Sequence, residues 1–390
     1  MADPDHCPPL TRQSVREAHH RIHPYIYRTP VATCTTLDRL ASTSQAERFG
    51  GDHDPGAHDL SDVSPYPDHE ASDLRGSTAA PKIRLFFKCE NQQRIGAFKA
   101  RGAFHALGRL IEERGLEAVR RTGVVTHSSG NHAQALALAA KSFQIPAHIV
   151  MPTISTPSKI AGTRQQGARV IFSGSTSDER EAVVADVIRE TGATLVPPYD
   201  HPDVILGQGT QALEFEEQVA AFLAHEAKHP PGQTLDAVIA PLGANDAERG
   251  LREADASPRC ASLTIADGVR TPVGAIPWSV IADPEQMAGV YSVTEEQIKA
   301  ALRLLMERAK LFVEPTAALG LAVVLYNEAF RREVQRRAGG KGWNVGVILS
   351  GGNTTMEALA KLFTKPEPSL ERAGATLGTD GGRTAENVAG

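Results

Sequence analysis

Cysteine is scarce in this chain. There are four in 390 residues, Cys7, Cys34, Cys89 and Cys260. No two of them form a C-x-x-C pair, which excludes a disulfide scaffold and a zinc knuckle and fits a reducing compartment. No apolar run reaches the length of a membrane span. Charge of one sign is not in great excess either: the formal net charge is -5, so neither nucleic acid nor an anionic membrane is an expected partner. The opening run Met1-Ala2-Asp3-Pro4-Asp5 lacks the basic and apolar regions of a secretory or transit peptide, and a cytoplasmic location is expected. What is present is an ordinary globular composition, 41% hydrophobic and 22% charged, in a chain long enough for a large core and two lobes.

Apolar periodicity is missing over residues 42–82, where Gly, Asp, His, Ser and Pro dominate. A disordered insertion is expected there. Its His53, Asp54, His58, Asp59, Asp62 and His69 do not have the spacing of a compact metal site. Residues 366–390 are expected to form a flexible tail for the same compositional reason.

Elsewhere the pattern is α/β. Residues 13–30 read as a short helix and an extended turn, and Leu85-Phe86-Phe87 as a buried strand. From Gly123 onward, strands at 123–127, 147–151 and 168–172 alternate with helices at 131–143, after 156–158, and at 177–191. That alternation predicts parallel βαβ units and a small sheet over residues 123–201. A helix over 204–224, a strand over 236–240, helices near 295–309 and 316–336 and a strand over 344–349 follow. The expected fold is therefore two open, mainly parallel sheets flanked by helices. Residues 13–122 and 202–365 would make the large domain and 123–201 the small one.

Three strand ends carry chemistry. In the first, Lys99 stands in Ile95-Gly96-Ala97-Phe98-Lys99-Ala100-Arg101-Gly102, where a turn enters a helix. A lysine held out of bulk water there loses part of its preference for the charged form. It can then form a Schiff base with an aldehyde such as pyridoxal phosphate (PLP). In the second, Ser128-Ser129-Gly130-Asn131-His132 joins a buried strand directly to a helix. The free N–H groups of such a helix start bind carboxylates, although an ordinary N-cap reads the same way. In the third, Ser350-Gly351-Gly352-Asn353 ends the last strand, which alone is also a plain glycine turn. All three lie at the carboxyl ends of strands, where open α/β sheets bind ligands.

Taken together, these runs resemble the fold-type II PLP enzymes, and within them the serine racemases and serine/threonine dehydratases, whose fold is that of the tryptophan synthase β subunit. Further matching stretches are residues 198–203, Gly207-Gln208-Gly209-Thr210, Thr264-Ile265-Ala266-Asp267-Gly268-Val269 and the run that ends in Glu314-Pro315-Thr316. The resemblance implies roles residue by residue. Lys99 would carry PLP and move the substrate's α-proton. Phe98 would pack against the ring, Asn131 would bind the ring 3-hydroxyl, and Ser350 would meet the ring nitrogen. Glu314 and Gly243 would also belong to the cofactor site. Ser128, Ser129, Gly130, Asn131 and His132 would bracket the substrate carboxylate, with Ser129 as the acid/base opposite Lys99 in a racemase. A neutral serine at the ring nitrogen makes a weaker electron sink than a carboxylate would, which suits β-elimination or reprotonation at Cα better than transamination. The implied activity is dehydration of a small 3-hydroxy amino acid by an ammonia-lyase, with serine racemisation as the alternative. The implied assembly is a homodimer without the C-terminal regulatory domain of feedback-controlled threonine dehydratases.

The chain departs from that pattern at one place. After the strand over 236–240 the family has a glycine run whose N–H groups hold the PLP phosphate. Here the residues are Pro241-Leu242-Gly243-Ala244-Asn245-Asp246, with Gly243 the one glycine left. Against that pattern, the resemblance implies the deletion of a strand-helix-strand segment of roughly 30 residues after Gly243. Losing three or four bonds to a charged phosphate would remove about 5–10 kcal/mol of anchoring. The divalent cation site (Mg2+ or a similar ion) implied by serine racemases would keep Asp246 and lose its glutamate. A catalytically impaired relative and an incorrectly joined gene model are therefore also open.

Overall fold

Short apolar strands bracketed by turns condense into two sheets in the computed structural model. It describes residues 7–49, 78–128, 130–226, 233–243, 264–271 and 273–364. The chain divides into two units, Met1–Thr354 and Thr355–Gly390. Within the second, the described part is the helix Met356–Phe363, capped by the Thr355 hydroxyl, which accepts from Ala358 N.

In chain order the first unit opens with α1 (Arg12–Ile22), β1 (Val31–Ala32), α2 (Thr35–Ser42), α3 (Gln45–Phe49), β2 (Ile83–Lys88), α4 (Lys99–Arg114) and α5 (Leu116–Thr122). A βαβ series follows: β3 (Val124–His127), α6 (Asn131–Ser142), β4 (Ala147–Pro152), α7 (Pro157–Gln165), β5 (Arg169–Ser173), α8 (Ser177–Thr191) and β6 (Thr194–Leu195). Then come α9 (Pro202–His225), β7 (Ala237–Ile239) and, after helices at Ala275–Ile281, Glu295–Glu307, Leu319–Tyr326 and Glu328–Ala338, the strand β8 (Trp343–Ile348).

β3 to β6 form one parallel sheet in the order β5-β4-β3-β6, as the alternation over 123–201 predicts. The other sheet runs β1-β2-β8-β7, parallel except for β1. β2 and β8 are buried on both faces, which is why they read as nearly unbroken apolar runs. Lys88 pairs with Ile348, so the two strands end side by side although 260 positions separate them in sequence. β7 is different. It is hydrogen-bonded to β8 alone among the described strands, and Val238 is 49% exposed.

α4 crosses α9 with the two backbones nearly touching: a Cβ on Gly207 would lie 2.6 Å from the Gly102 Cα. Beside this crossing is a buried ion network. Arg101 donates from Nε and Nη2 to the two Glu90 oxygens, each at 2.8 Å, and from Nη1 and Nη2 to Glu214 at 2.9 and 2.8 Å. Lys88 Nζ donates to the same Glu214 at 2.9 Å, and also to Thr29 O and Gln218. Burial alone would raise the Glu214 pKa, but bonds from His19 and Arg101 and the nearby cations hold it far below the carboxylate range. The network ties β2, α4 and α9 together at the root of Lys99.

Two expectations need correction. The stretch 42–82 is not one unstructured insertion. Ser42 closes α2, Gln45–Phe49 is helical, and Ala79 is buried against the fold, so the part in question shrinks to residues 50–77, which lie outside the described residues. The helix expected over 316–336 is broken. Pro315–Ala318 is a 3-10 turn, and Asn327 ends one helix and caps the next by accepting from Phe330 N. Leu319–Tyr326 is buried almost all round, so no periodicity marks the break.

Candidate active site

The ends of β2 and β8 are stitched together by backbone. Phe98 N donates to Ser350 O, Gly352 N to Gly96 O, and Ala97 bridges Gly351. To make this connection Ile95 adopts φ 58° and Gly96 φ 71°. A β-branched residue in the left-handed region is strained, and such strain collects at functional sites. Lys99 then begins α4. Its half-buried ammonium donates to Pro198 O at 2.8 Å and lies 5.2 Å from the centre of the Phe98 ring. Desolvation pulls its pKa down to about 8. An amine with this pKa is neutral often enough at neutral pH to act as a nucleophile and a base.

Beside it, Ser350 is 5% exposed, and its Oγ has no hydrogen-bond partner among the described residues. A buried hydroxyl left unpaired implies a missing partner. Next to it Gly351 leaves a slot: a Cβ there would fall 2.6 Å from Glu314 Oε1. Glu314, 5% exposed, accepts from Asn131 Nδ2 at 3.1 Å and from Asn353 N at 3.2 Å. Burial and the Asp267 carboxylate push its pKa up to about 7, against the bonds from Asn131 and Asn353 and the charge of Lys159.

The strand end after β3 delivers Asn131 as the first residue of α6. Ser128 N is anchored on Val150 O, and the Ser128 hydroxyl accepts from Gly130 N at 3.3 Å. Gly130, at the N-cap, gives the helix no side-chain cap, so its first-turn N–H groups stay open to an anion. The His132 side chain does not join them. It is 2% exposed, its Nε2 bonds Val196 O, and Nδ1 is without a partner among the described residues. Burial, then the Lys99 charge, lowers its pKa to about 3, so the ring is neutral. Only its backbone is suited to a carboxylate.

Lys99, Phe98, Asn131, Glu314 and Ser350 are thus drawn together, with Ser128 and Gly130 at the neighbouring strand end. Gly243 lies after β7, backed so closely on Thr271 O that a side chain would not fit. Ser129 and Asp246 lie outside the described residues, as do the histidines and acids of the 50–77 stretch. Among the described residues no group of three or more metal-ligating side chains is present. Sequence reasoning missed Asn353 as a site residue and Pro198 as the acceptor for Lys99. Both stand in runs that carried the family resemblance.

A lowered-pKa lysine, a partnerless serine and an asparagine at three strand ends fit the ring of PLP: an amine for its aldehyde, a hydroxyl for its nitrogen and an amide for its 3-oxygen. That site on two such sheets defines the fold-type II class of PLP enzyme. The comparisons agree. The family described as "Pyridoxal-phosphate dependent enzyme" matches residues 70–351. An L-threo-3-hydroxyaspartate ammonia-lyase from Pseudomonas sp is 38% identical over 298 residues, 72% of this chain and 88% of that protein. A serine racemase from Arabidopsis thaliana is 35% identical over 378 residues, 90% of this chain and 95% of that one. The crystal structure of serine racemase from Dictyostelium discoideum superposes with a TM-score of 0.66 at 31% identity, covering 88% of this chain and 98% of that one. The chain belongs to the pyridoxal-phosphate dependent enzymes, in the serine racemase family.

Proposed function

We propose that the chain is an ammonia-lyase that dehydrates a small 3-hydroxy amino acid, with racemisation of the same substrate as a side activity. The observation that carries this reading is the desolvated Lys99 amine on a turn whose Phe98 N–H is bonded to the backbone of Ser350, a buried serine with a partnerless hydroxyl. PLP, when bound, acidifies the substrate's Cα–H bond and takes up the electron pair that bond leaves. Lys99, with its pKa drawn down to about 8, receives the α-proton on one face. Ser350 would offer the ring nitrogen a hydroxyl and no charge, so the electron pair would be drawn less fully into the ring and would more readily expel the β-hydroxyl, which would leave as water with the proton that Lys99 took from Cα. Water then releases ammonia, so serine yields pyruvate and threonine yields 2-oxobutyrate. The open N–H groups of α6 and the Ser128 hydroxyl hold the carboxylate. Ser129, by the family resemblance, is the candidate for the second proton-moving group when the product is the mirror-image amino acid. The named relatives, an ammonia-lyase and serine racemases, support this pair of activities. A homodimer, and a divalent cation at Asp246, belong to the same reading.

A second reading has its own observation. β7 has a bare outer side among the described strands, and Gly243 is the one glycine at its end. That favours a chain that has lost the phosphate-holding segment and binds PLP weakly. One experiment separates the two. The purified chain is given PLP and, in turn, L-serine, L-threonine and L-threo-3-hydroxyaspartate, and 2-oxo acid and D-amino acid are measured. Release of 2-oxo acid that disappears in Lys99→Ala supports the first reading. Product formed only in a large excess of PLP, with cofactor and activity both lost on gel filtration, supports the second.

A further inference from the structure

Asn131, Asn353, Glu314 and Ile95 form a closed hydrogen-bond circuit. Asn353 Nδ2 donates to Ile95 O at 2.8 Å and to Asn131 Oδ1 at 2.7 Å. Asn131 Nδ2 donates to Glu314 Oε1 at 3.1 Å, and Glu314 Oε2 accepts from the backbone N of Asn353 at 3.2 Å. The circuit allows one arrangement of the two amides. A backbone carbonyl only accepts, so Ile95 O fixes which end of Asn353 carries the NH2 group. That NH2 group requires the oxygen of Asn131 to face it. The NH2 of Asn131 must then face Glu314, which as a carboxylate only accepts. Both ends of the chain of bonds agree. Asn131 is left with one uncommitted amide N–H and a committed oxygen.

We propose that Glu314 is a positioning residue: it acts through Asn131, locking that amide so that it presents an N–H donor, and not an acceptor, to the cofactor's 3-oxygen. This rests on the assignment of Asn131 to that oxygen made above. A donor there favours the 3-oxygen as an anion. Protonating Glu314 adds an O–H where both neighbours, Asn131 Nδ2 and Asn353 N, are donors. Asn131 cannot turn over in response, because its NH2 would then meet the Asn353 NH2 that Ile95 O holds in place. The lock therefore opens on protonation. Besides the circuit, the charged groups facing Glu314 are Asp267, in the 3-10 turn Asp267–Val269, and Lys159 of α7. They are paired with each other at 2.7 Å. Burial and Asp267 place the Glu314 titration near neutral pH, at about 7.

The test uses the full chain with and without PLP. In the loaded protein, the visible band of the anionic 3-oxygen is followed from pH 5.5 to 9. Wild type should gain the band with a midpoint near pH 7, and Glu314→Gln should lose that midpoint while still carrying cofactor. Asn353→Ala, which removes the other side of the lock, should broaden or shift it in the same assay. A wild-type band that does not change with pH, or an unchanged midpoint in Glu314→Gln, overturns the proposal. Without PLP, thermal unfolding over the same range reads the carboxyl alone: the wild-type midpoint should fall as pH rises through 7, and Glu314→Gln should flatten it. A flat wild-type profile also overturns the proposal. If PLP never attaches, the assignment of the site fails in the first arm, while the second arm still decides whether Glu314 titrates as argued.

Discussion

β8 and β7 are neighbours in one sheet, yet their ends are built very differently. β8 ends in Ser350, Gly351, Gly352 and Asn353, each held to the turn before α4 or to the circuit around Glu314. β7 is followed by Ala240, Pro241, Leu242 and Gly243, and its middle residue Val238 is 49% exposed. The residues proposed to face the cofactor ring are buried or half-buried and tightly bonded. Residues 244–263, which follow the end of β7, lie outside the described residues. If the phosphate is held weakly after β7, ring chemistry and cofactor retention become separable properties of this chain.

That comparison can be broken from its strong side first. Lys99→Ala should lower 2-oxo acid release at saturating PLP by about 10²–10⁴-fold or more, the contribution of a well-placed proton-moving side chain. A smaller loss in a coupled product assay would mean another group does the work. Arg101→Ala leaves Glu90 and Glu214 buried without their main cation. It should cost about 3–5 kcal/mol in urea unfolding, the cost of breaking a buried pair.

The carboxyl of Glu314 gives the next largest effect. Its folded-state pKa, about 7, lies above the ordinary value of 4.5. Between those values the folded chain keeps a proton that the unfolded chain has lost. Stability is therefore full below pH 4.5 and falls as pH rises through 7. The difference amounts to about 3 kcal/mol, measured as the pH dependence of the urea midpoint. One substitution made on both strands then sharpens the contrast. Val347→Thr puts a hydroxyl into a site that is 0% exposed and should cost about 1–3 kcal/mol. Val238→Thr, at the exposed middle position of β7, should stay within about 0.5 kcal/mol. Equal costs would mean that β7 is covered in solution.

Much of this architecture was legible because it is locally encoded. The helix Ser177–Thr191 is announced by its Thr176 capping box and ended by Gly192 in the left-handed conformation. Lys99 could be placed on a first turn because Gly96 and the strand before it mark the boundary. Other features are set by tertiary pairing and leave no local trace. Asn353 reaches Ile95 because sheet order sets β8 beside β2, and Asn131 comes from the end of β3 in the other sheet, so no spacing between the two asparagines announces their contact. β6 has two residues, too few for a periodic signal. The inward turn of His132 and the Lys88–Glu214–Arg101 network depend on packing against β6 and α9, which periodicity in α6 or α4 does not reveal.

The account depends most directly on where PLP attaches. The full chain, incubated with PLP, reduced with borohydride and digested, should yield one pyridoxyl-bearing peptide, with the added mass on Lys99. Folded protein that carries no pyridoxyl group on Lys99 after that treatment, or carries it on another lysine, would contradict it.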